Sequence, residues 1–191
     1  MMNKRYVMVH DENKCIGCQA CNVACRSENQ VPEGVTRLQV RVEGPFGEVP
    51  LLHFKYNRVS CQQCEDAPCV KVCPTGAAYV TADGIVSIKQ DKCVGCQYCI
   101  AACPYKVRFI NPVSHTAEKC NFCADTRLAR GEQPACVTVC PTNALVFGDA
   151  NDANSDVSKL LNSAPTYREK VHLGTQPRVY RIPARKGGIE A

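Results

Sequence analysis

Tryptophan is absent from this 191-residue chain, and Phe and Tyr together make up only 6% of it. So few large side chains give a thin apolar core, and a chain this short then needs some other means of holding itself together. No apolar run approaches the ~18 residues a membrane-crossing helix requires, so no transmembrane segment of its own is expected. No apolar stretch of the ~7–15 residues that a signal peptide carries separates Lys4 and Arg5 from Cys15, and no Arg-Arg pair stands near the start. A chain of that kind, if exported, is expected to travel with a partner. The patterns GxGxxG and GxxxxGKS/T are both missing, which argues against a dinucleotide-binding or phosphate-binding loop. No nucleophile–base pairing stands out either, so the chain is not expected to be an enzyme by itself and its catalytic residues are none.

What the chain does have is 16 cysteines, in four groups. The first is Cys15, Cys18, Cys21 and Cys25; the second is Cys61, Cys64, Cys69 and Cys73. The third is Cys93, Cys96, Cys99 and Cys103; the fourth is Cys120, Cys123, Cys136 and Cys140. A secreted disulfide scaffold would not place Cys at every third position again and again, whereas thiols two residues apart on one loop can meet one metal centre. The groups also repeat. DENKCIGCQACNVAC aligns with KQDKCVGCQYCIAAC at an offset of 78, and APCVKVCPTGAA with PACVTVCPTNAL at an offset of 67. The first and third groups are therefore sisters, as are the second and fourth, which points to internal duplication.

The third group reads Cys-x2-Cys-x2-Cys-x3-Cys-Pro, the two-cluster ferredoxin pattern, whose fourth Cys ligates the other cluster. Gly17 and Gly95 permit a tight loop, and Pro74, Pro104 and Pro141 each follow a last cysteine and redirect the chain. In the first group Arg26 takes that place. The rival metal is zinc, bound by four Cys in a stapled interaction module. Zinc ribbons, however, have no use for three ligands on one short loop or for a recurring Cys-Pro. The formal charge is +5 with neutral thiols. If all the thiols are cluster thiolates and each oxidised core carries about +2, the net becomes about −3. The basic excess then compensates buried negative charge and is no nucleic-acid signature.

The coarse reading is α+β: two bacterial-ferredoxin-like units of short strands and helices around four cubane clusters. Strands are expected at Tyr6–Val9, Leu38–Val42, Val49–Tyr56, Ala78–Val80, Ile85–Ile88, Val107–Ile110 and Ala144–Phe147, and Cys-x3-Cys suits a helical turn. Ala124–Arg130 is expected to be a helix stopped by Gly131, and Asn151–Ser163 a small helix. Beyond Pro165 the chain reads as extended, with a strand at Val179–Ile182. The alternatives there are a disordered tail or an arm laid over a partner through Leu173, Val179, Tyr180 and Ile182. Lys14, Lys92 and Lys119 each precede a ligand and are candidates for raising cluster potentials. Tyr98, Tyr105 and Phe122 read as packing that shields the clusters, and His10, His53, His115 and His172 as structural or surface residues.

The order of the four groups over about residues 5–150 resembles the four-cluster subunit of molybdopterin oxidoreductases. The RYVMVHDENKCIGCQAC opening is most similar to the polysulfide and thiosulfate reductase iron–sulfur subunits. That resemblance implies one unit from residues 1–58 and 112–150, a second, inserted unit at 59–111, and a partner-docking arm at 151–191. It implies iron held as four [4Fe-4S] clusters. The first is on Cys15, Cys18, Cys21 and Cys140, and the second on Cys25, Cys120, Cys123 and Cys136. The third is on Cys61, Cys64, Cys69 and Cys103, and the fourth on Cys73, Cys93, Cys96 and Cys99. Some relatives carry Trp and a three-iron cluster at the place of Cys99; four irons are expected here. The implied role is electron relay in anaerobic respiration between an integral membrane, quinone-reactive subunit and a molybdopterin catalytic subunit, at the periplasmic face of the inner membrane. The alternatives are a cytoplasmic location, a related dimethyl sulfoxide, nitrite or formate-type complex, and a free polyferredoxin.

Overall fold

The structure is a computed structural model that describes residues 4–184. Among these, helices and strands are short and joined by long irregular stretches. Tyr6–Asp11 (β1) is the middle strand of a three-stranded sheet, and its Val7, Met8 and Val9 are each 0% exposed. Such an unbroken apolar run suits a strand covered on both faces. Next come the helix Ala20–Glu28 (α1) and a long antiparallel hairpin of Leu38–Phe46 (β2) and His53–Ser60 (β3). The second and third cysteine groups carry the one-turn helices Pro68–Lys71 (α2) and Tyr98–Ala101 (α3). They also carry two small antiparallel pairs, Ala78–Val80 (β4) with Val86–Ile88 (β5), and Phe109–Ile110 (β6) with Ala117–Glu118 (β7). Ala135–Thr138 (α4), Leu145–Asp149 (β8), Asp156–Ser163 (α5) and Val179–Ile182 (β9) complete the order. β8 runs antiparallel along one edge of β1 and β9 runs parallel along the other.

The core falls into two parts. Met8, Leu38, Phe122, Leu145, Phe147 and Val179 gather around Cys25, Cys120 and Cys136. Ala67, Val86 and Ala117 gather around Cys64, Cys69 and Cys99. α1 packs on α4, and α2 on α3. The scarcity of aromatics is visible here: cysteines do much of the filling that Phe or Leu would do in an ordinary core.

Several expected elements differ in extent. The strand expected from Val49 begins at His53 and runs to Ser60, because Pro50 has no N–H to give to a ladder. Val49 and Leu51 are left exposed at the hairpin tip. The helix expected over Ala124–Arg130 shrinks to a 3-10 turn at Leu128–Arg130, closed by Gly131 at φ +75°. Asn121 accounts for that, because its Oδ1 accepts from the Cys123 N–H at 3.1 Å and its Nδ2 donates to Asp125 at 2.8 Å. Such a side-chain turn competes with the first turn of a helix. α5 starts only at Asp156, where the Ser155 hydroxyl caps it by accepting from the Ser158 N–H at 3.1 Å. A cap of this kind is worth about 1 kcal/mol.

The extended C-terminal stretch lies on its own chain as far as Ile182. Val179 and Ile182 are buried against β1, and Tyr167 bridges to Arg181. Those apolar residues therefore close the sheet and do not face outward, while Leu173 stays exposed. Residues 185–191 of the stretch read as an arm lie outside the described residues.

Candidate iron–sulfur sites

Each ligand loop is shaped by backbone conformations that its sequence makes affordable. Gly17 and Gly95 both sit in the left-handed region, at φ +69° and +67°. A Cβ on Gly17 would come 2.4 Å from the Tyr56 ring, and one on Gly95 would come 2.9 Å from the His115 carbonyl. Gln19 and Gln97 follow, also left-handed, and lead straight into α1 and α3. Cys21 and Cys25 then stand one turn apart on α1.

All sixteen cysteines are free thiols. They line four small cavities. Cys15, Cys18, Cys21 and Cys140 line the first, together with Arg58. Cys25, Cys120, Cys123 and Cys136 line the second, with Phe122. Cys61, Cys64, Cys69 and Cys103 line the third, with Tyr105 and Arg108. Cys73, Cys93, Cys96 and Cys99 line the fourth, with Arg108 again. The cavities are small, and the surface they expose is almost wholly apolar, although Asn29, Arg37 and Asn121 also line the second. Each receives three thiols from one group and one from that group's partner. Cys18 and Cys96 are exposed, whereas the second cavity's four thiols are all buried. The first and fourth cavities are thus the ones that open toward the surface.

Sister loops hold their sulfurs alike. The N–H of Ala78 donates to Cys73 Sγ and that of Ala144 to Cys140 Sγ, both at 3.3 Å. Thr75 and Thr142 hydroxyls lie 3.7 and 3.8 Å from the same two sulfurs. Partial burial opposes ionisation of these two thiols, but the N–H and hydroxyl donors outweigh it and lower both pKa values. The deeper thiols behave in the opposite way. Burial, reinforced by neighbouring thiolates, pushes Cys64 and Cys136 up to about 12 and raises Cys25 too. Thiols that ionise so reluctantly need positive charge beside them before they become ligands.

That charge comes from residues the cysteine motifs do not include. Arg58 is 2% exposed, and its Nη2 donates to Cys136 Sγ at 3.8 Å. Arg108 is 6% exposed, and its Nη2 donates to Cys69 Sγ at 3.0 Å. Lys119 is 3% exposed and donates to the carbonyls of Cys120 and Val86. Of the three lysines that precede a ligand, Lys119 alone is buried; Lys14 and Lys92 are exposed. No short motif signals Arg58 or Arg108. Phe122 packs edge-on against Phe147 at 5.0 Å and lines the second cavity, and the Tyr105 hydroxyl lies 2.7 Å from that of Thr175 while Tyr105 lines the third. Tyr98, read as shielding, is exposed. His10 is buried, and burial together with Arg181, Arg58 and Lys55 lowers its pKa to about 3.

The donor set suits an iron–sulfur cluster. It is all thiolate in apolar surroundings, and Arg58 Nε and Arg108 Nη1 are buried with no hydrogen-bond partner among the described residues. Such donors can satisfy the lone pairs of cluster sulfur. Among the described residues no three His, Cys, Asp or Glu side chains form a site for a single metal ion.

Comparison with known proteins follows the same line. A 4Fe-4S dicluster domain model matches residues 52–150, and a second 4Fe-4S dicluster domain model matches residues 14–77. The sequence is 61% identical to the B subunit of polysulfide reductase from Wolinella succinogenes, over the full length of both proteins. It is 57% identical to protein NrfC of Escherichia coli strain K12, over 97% of this chain and 83% of that one. It is 51% identical to the thiosulfate reductase electron transfer subunit PhsB of Salmonella typhi, over 94% and 93%.

Proposed function

The chain belongs to the 4Fe-4S dicluster family of iron–sulfur electron-transfer subunits, and we propose that it relays electrons through four cubane clusters between a quinol-linked membrane subunit and a molybdopterin catalytic subunit. Polysulfide or thiosulfate reduction is the activity its relatives' names point to, and in this proposal electrons run from quinol toward sulfur. It is not the catalytic subunit.

One observation carries the reading: sixteen thiols divide into four cavities of four, each drawing three from one group and one from its partner. In this proposal each cavity holds one cluster on its own quartet. The first and fourth groups make one ferredoxin-like unit, at 1–58 and 112–150. The second and third make the other, at 59–111, inserted within the first. The packing of α1 on α4 and of α2 on α3 supports that nesting.

When bound, the clusters supply one-electron carriers of tunable potential. The chain's own residues hold them apart in an apolar medium, exclude water with Phe122 and Tyr105, and place cations beside the sulfurs. The Cys-x3-Cys turns tie the first cavity to the second and the third to the fourth. The exposed Cys18 and Cys96 ends are where electrons would leave and enter, the Cys18 end against the catalytic subunit and the Cys96 end against the membrane subunit. Val171 and Leu173, both exposed, are what the 151–184 stretch offers a partner. Among the described residues no helix is long and apolar enough to cross a membrane, so membrane attachment would be through that partner. The proposed place is the periplasmic face of the inner membrane.

The test is anaerobic purification with bound partners, followed by metal, sulfide and subunit analysis. About 16 irons and 16 sulfides per chain, with a molybdenum-containing large subunit in the same peak, is the expected result. About four zinc ions and no sulfide would overturn it.

A further inference from the structure

Among the described residues, three cations are buried without a carboxylate. Arg58, Arg108 and Lys119 are 2%, 6% and 3% exposed, and among the described residues no Asp or Glu pairs with any of them. A buried cation left uncompensated is strongly destabilising, so each needs an anionic neighbour. The neighbours available are the thiols.

Their placement follows the order of the four sites. Arg58 lines the first cavity while its Nη2 reaches Cys136 of the second. Arg108 lines both the third and the fourth, and its Nη2 reaches Cys69. Lys119 lies between the second and third. Its ammonium donates to the carbonyl of Cys120, a second-cavity residue, and to that of Val86, whose side chain lines the third. Gln63, 0% exposed, closes the same junction: its Nε2 donates to Cys120 O at 2.7 Å and its Oε1 accepts from the Val86 N–H at 2.8 Å. Gln63 itself lies between the third-cavity ligands Cys61 and Cys64 in the chain.

We infer that Arg58, Lys119 and Arg108 are one buried cation per junction, each holding up the reduction potentials of the two clusters it separates. The inference rests on the four-cluster reading above. Each reduction adds one negative charge inside a poorly screened interior, where a nearby cation favours the reduced form. A cation shared between two sites acts on both and offsets the repulsion between an electron on one and an electron on the next. A single step of the relay would otherwise hinder its neighbour. The three residues are positioning residues, since they act through the clusters.

The experiment is a potentiometric titration followed by electron paramagnetic resonance on the intact, cluster-loaded chain in its complex. It uses Arg58→Gln, Lys119→Gln and Arg108→Gln, each beside a charge-keeping variant, Arg58→Lys, Lys119→Arg and Arg108→Lys. Iron and sulfide are assayed in every sample. Each neutral variant should lower the reduction equilibrium constant of its two flanking clusters about tenfold or more, which is about 59 mV for one electron. The other two clusters should stay put, and the charge-keeping variants should stay near wild type. A neutral variant that loses a flanking cluster while its charge-keeping partner retains all four also supports the inference. Unmoved potentials, an equal shift of all four, or cluster loss in both variants of a pair would overturn it. Fewer than four cluster signals in the unaltered chain would instead overturn the four-cluster reading, and this inference with it.

Discussion

Arg181 and Glu12 meet with their side chains each 1% exposed, Nη1 standing 3.5 Å from Oε1. The same carboxylate accepts from the Tyr167 hydroxyl at 2.6 Å and faces the Lys55 ammonium at 3.5 Å. Arg181 also pairs with Glu169 at 2.9 Å and donates to the Arg58 carbonyl at 2.7 Å. The C-terminal stretch is thereby joined to β1 and β3 through buried charge, beside the first cysteine cavity.

Breaking that pair from one side should be costly. Arg181→Ala leaves Glu12 with a weaker set of partners in the interior, and the expected loss is about 3–5 kcal/mol. Anaerobic thermal unfolding at a fixed scan rate would show it as a lowered midpoint. A midpoint unchanged from wild type would mean that the stretch after Tyr167 contributes nothing to stability.

His10 predicts an acid-side loss of stability. Its pKa is about 3 in the folded chain, against about 6.5 for a free imidazole. The unfolded chain therefore binds a proton below about pH 6.5 that the folded chain refuses until about pH 3. Stability is fully present above pH ~6.5 and falls by about 1.4 kcal/mol per pH unit as pH drops through that window. His10→Gln should flatten this part of the unfolding-against-pH curve. An identical slope in both chains would show that His10 takes no part.

Ligand partition can be read by comparing substitutions. Cys140→Ala should remove the same resonance signal as Cys18→Ala, although the two cysteines are 122 positions apart. It should leave intact the signal that Cys136→Ala removes, although Cys136 is one turn away. Loss of one common signal from Cys136→Ala and Cys140→Ala would put the two thiols on one cluster.

Gly17→Ala combines two penalties: a left-handed φ of +69° and a Cβ 2.4 Å from the Tyr56 ring. The backbone part alone is about 1–2 kcal/mol. The variant should retain less iron after anaerobic purification, and a second change, Tyr56→Ala, should relieve the clash but not the backbone part. Full iron content in the single variant would place the loop's tolerance well above this reading.

Much of the site was legible because ligand spacing is a local property. Cys-x2-Cys-x2-Cys with Gly17 or Gly95 at its turn specifies a thiolate loop wherever the chain goes, and the offset of 78 between sister loops is visible without coordinates. Short strands such as β4 and β5 were equally readable, since β-branched and apolar residues flank Asp83-Gly84 there. The strand expected from Val49 begins four residues later and the helix expected from Ala124 likewise, because Pro50 and the Asn121 side chain overrule periodicity locally.

Spacing by itself determined the kind of cofactor and the duplication, for the thiolates and their turns carry both. The pairing of groups was an expectation from family resemblance alone, because no local pattern says which loop a fourth cysteine joins. Burial of charge was decided only by the tertiary structure. Lys14, Lys92 and Lys119 occupy the same local position, one residue before the first cysteine of a group, yet only Lys119 is enclosed, because Val86, held with Cys120 by Gln63, comes from a distant part of the chain to accept from its ammonium. Whether a cation is solvated or forced onto a thiolate depends on what folds over it, and that is a property of the whole chain.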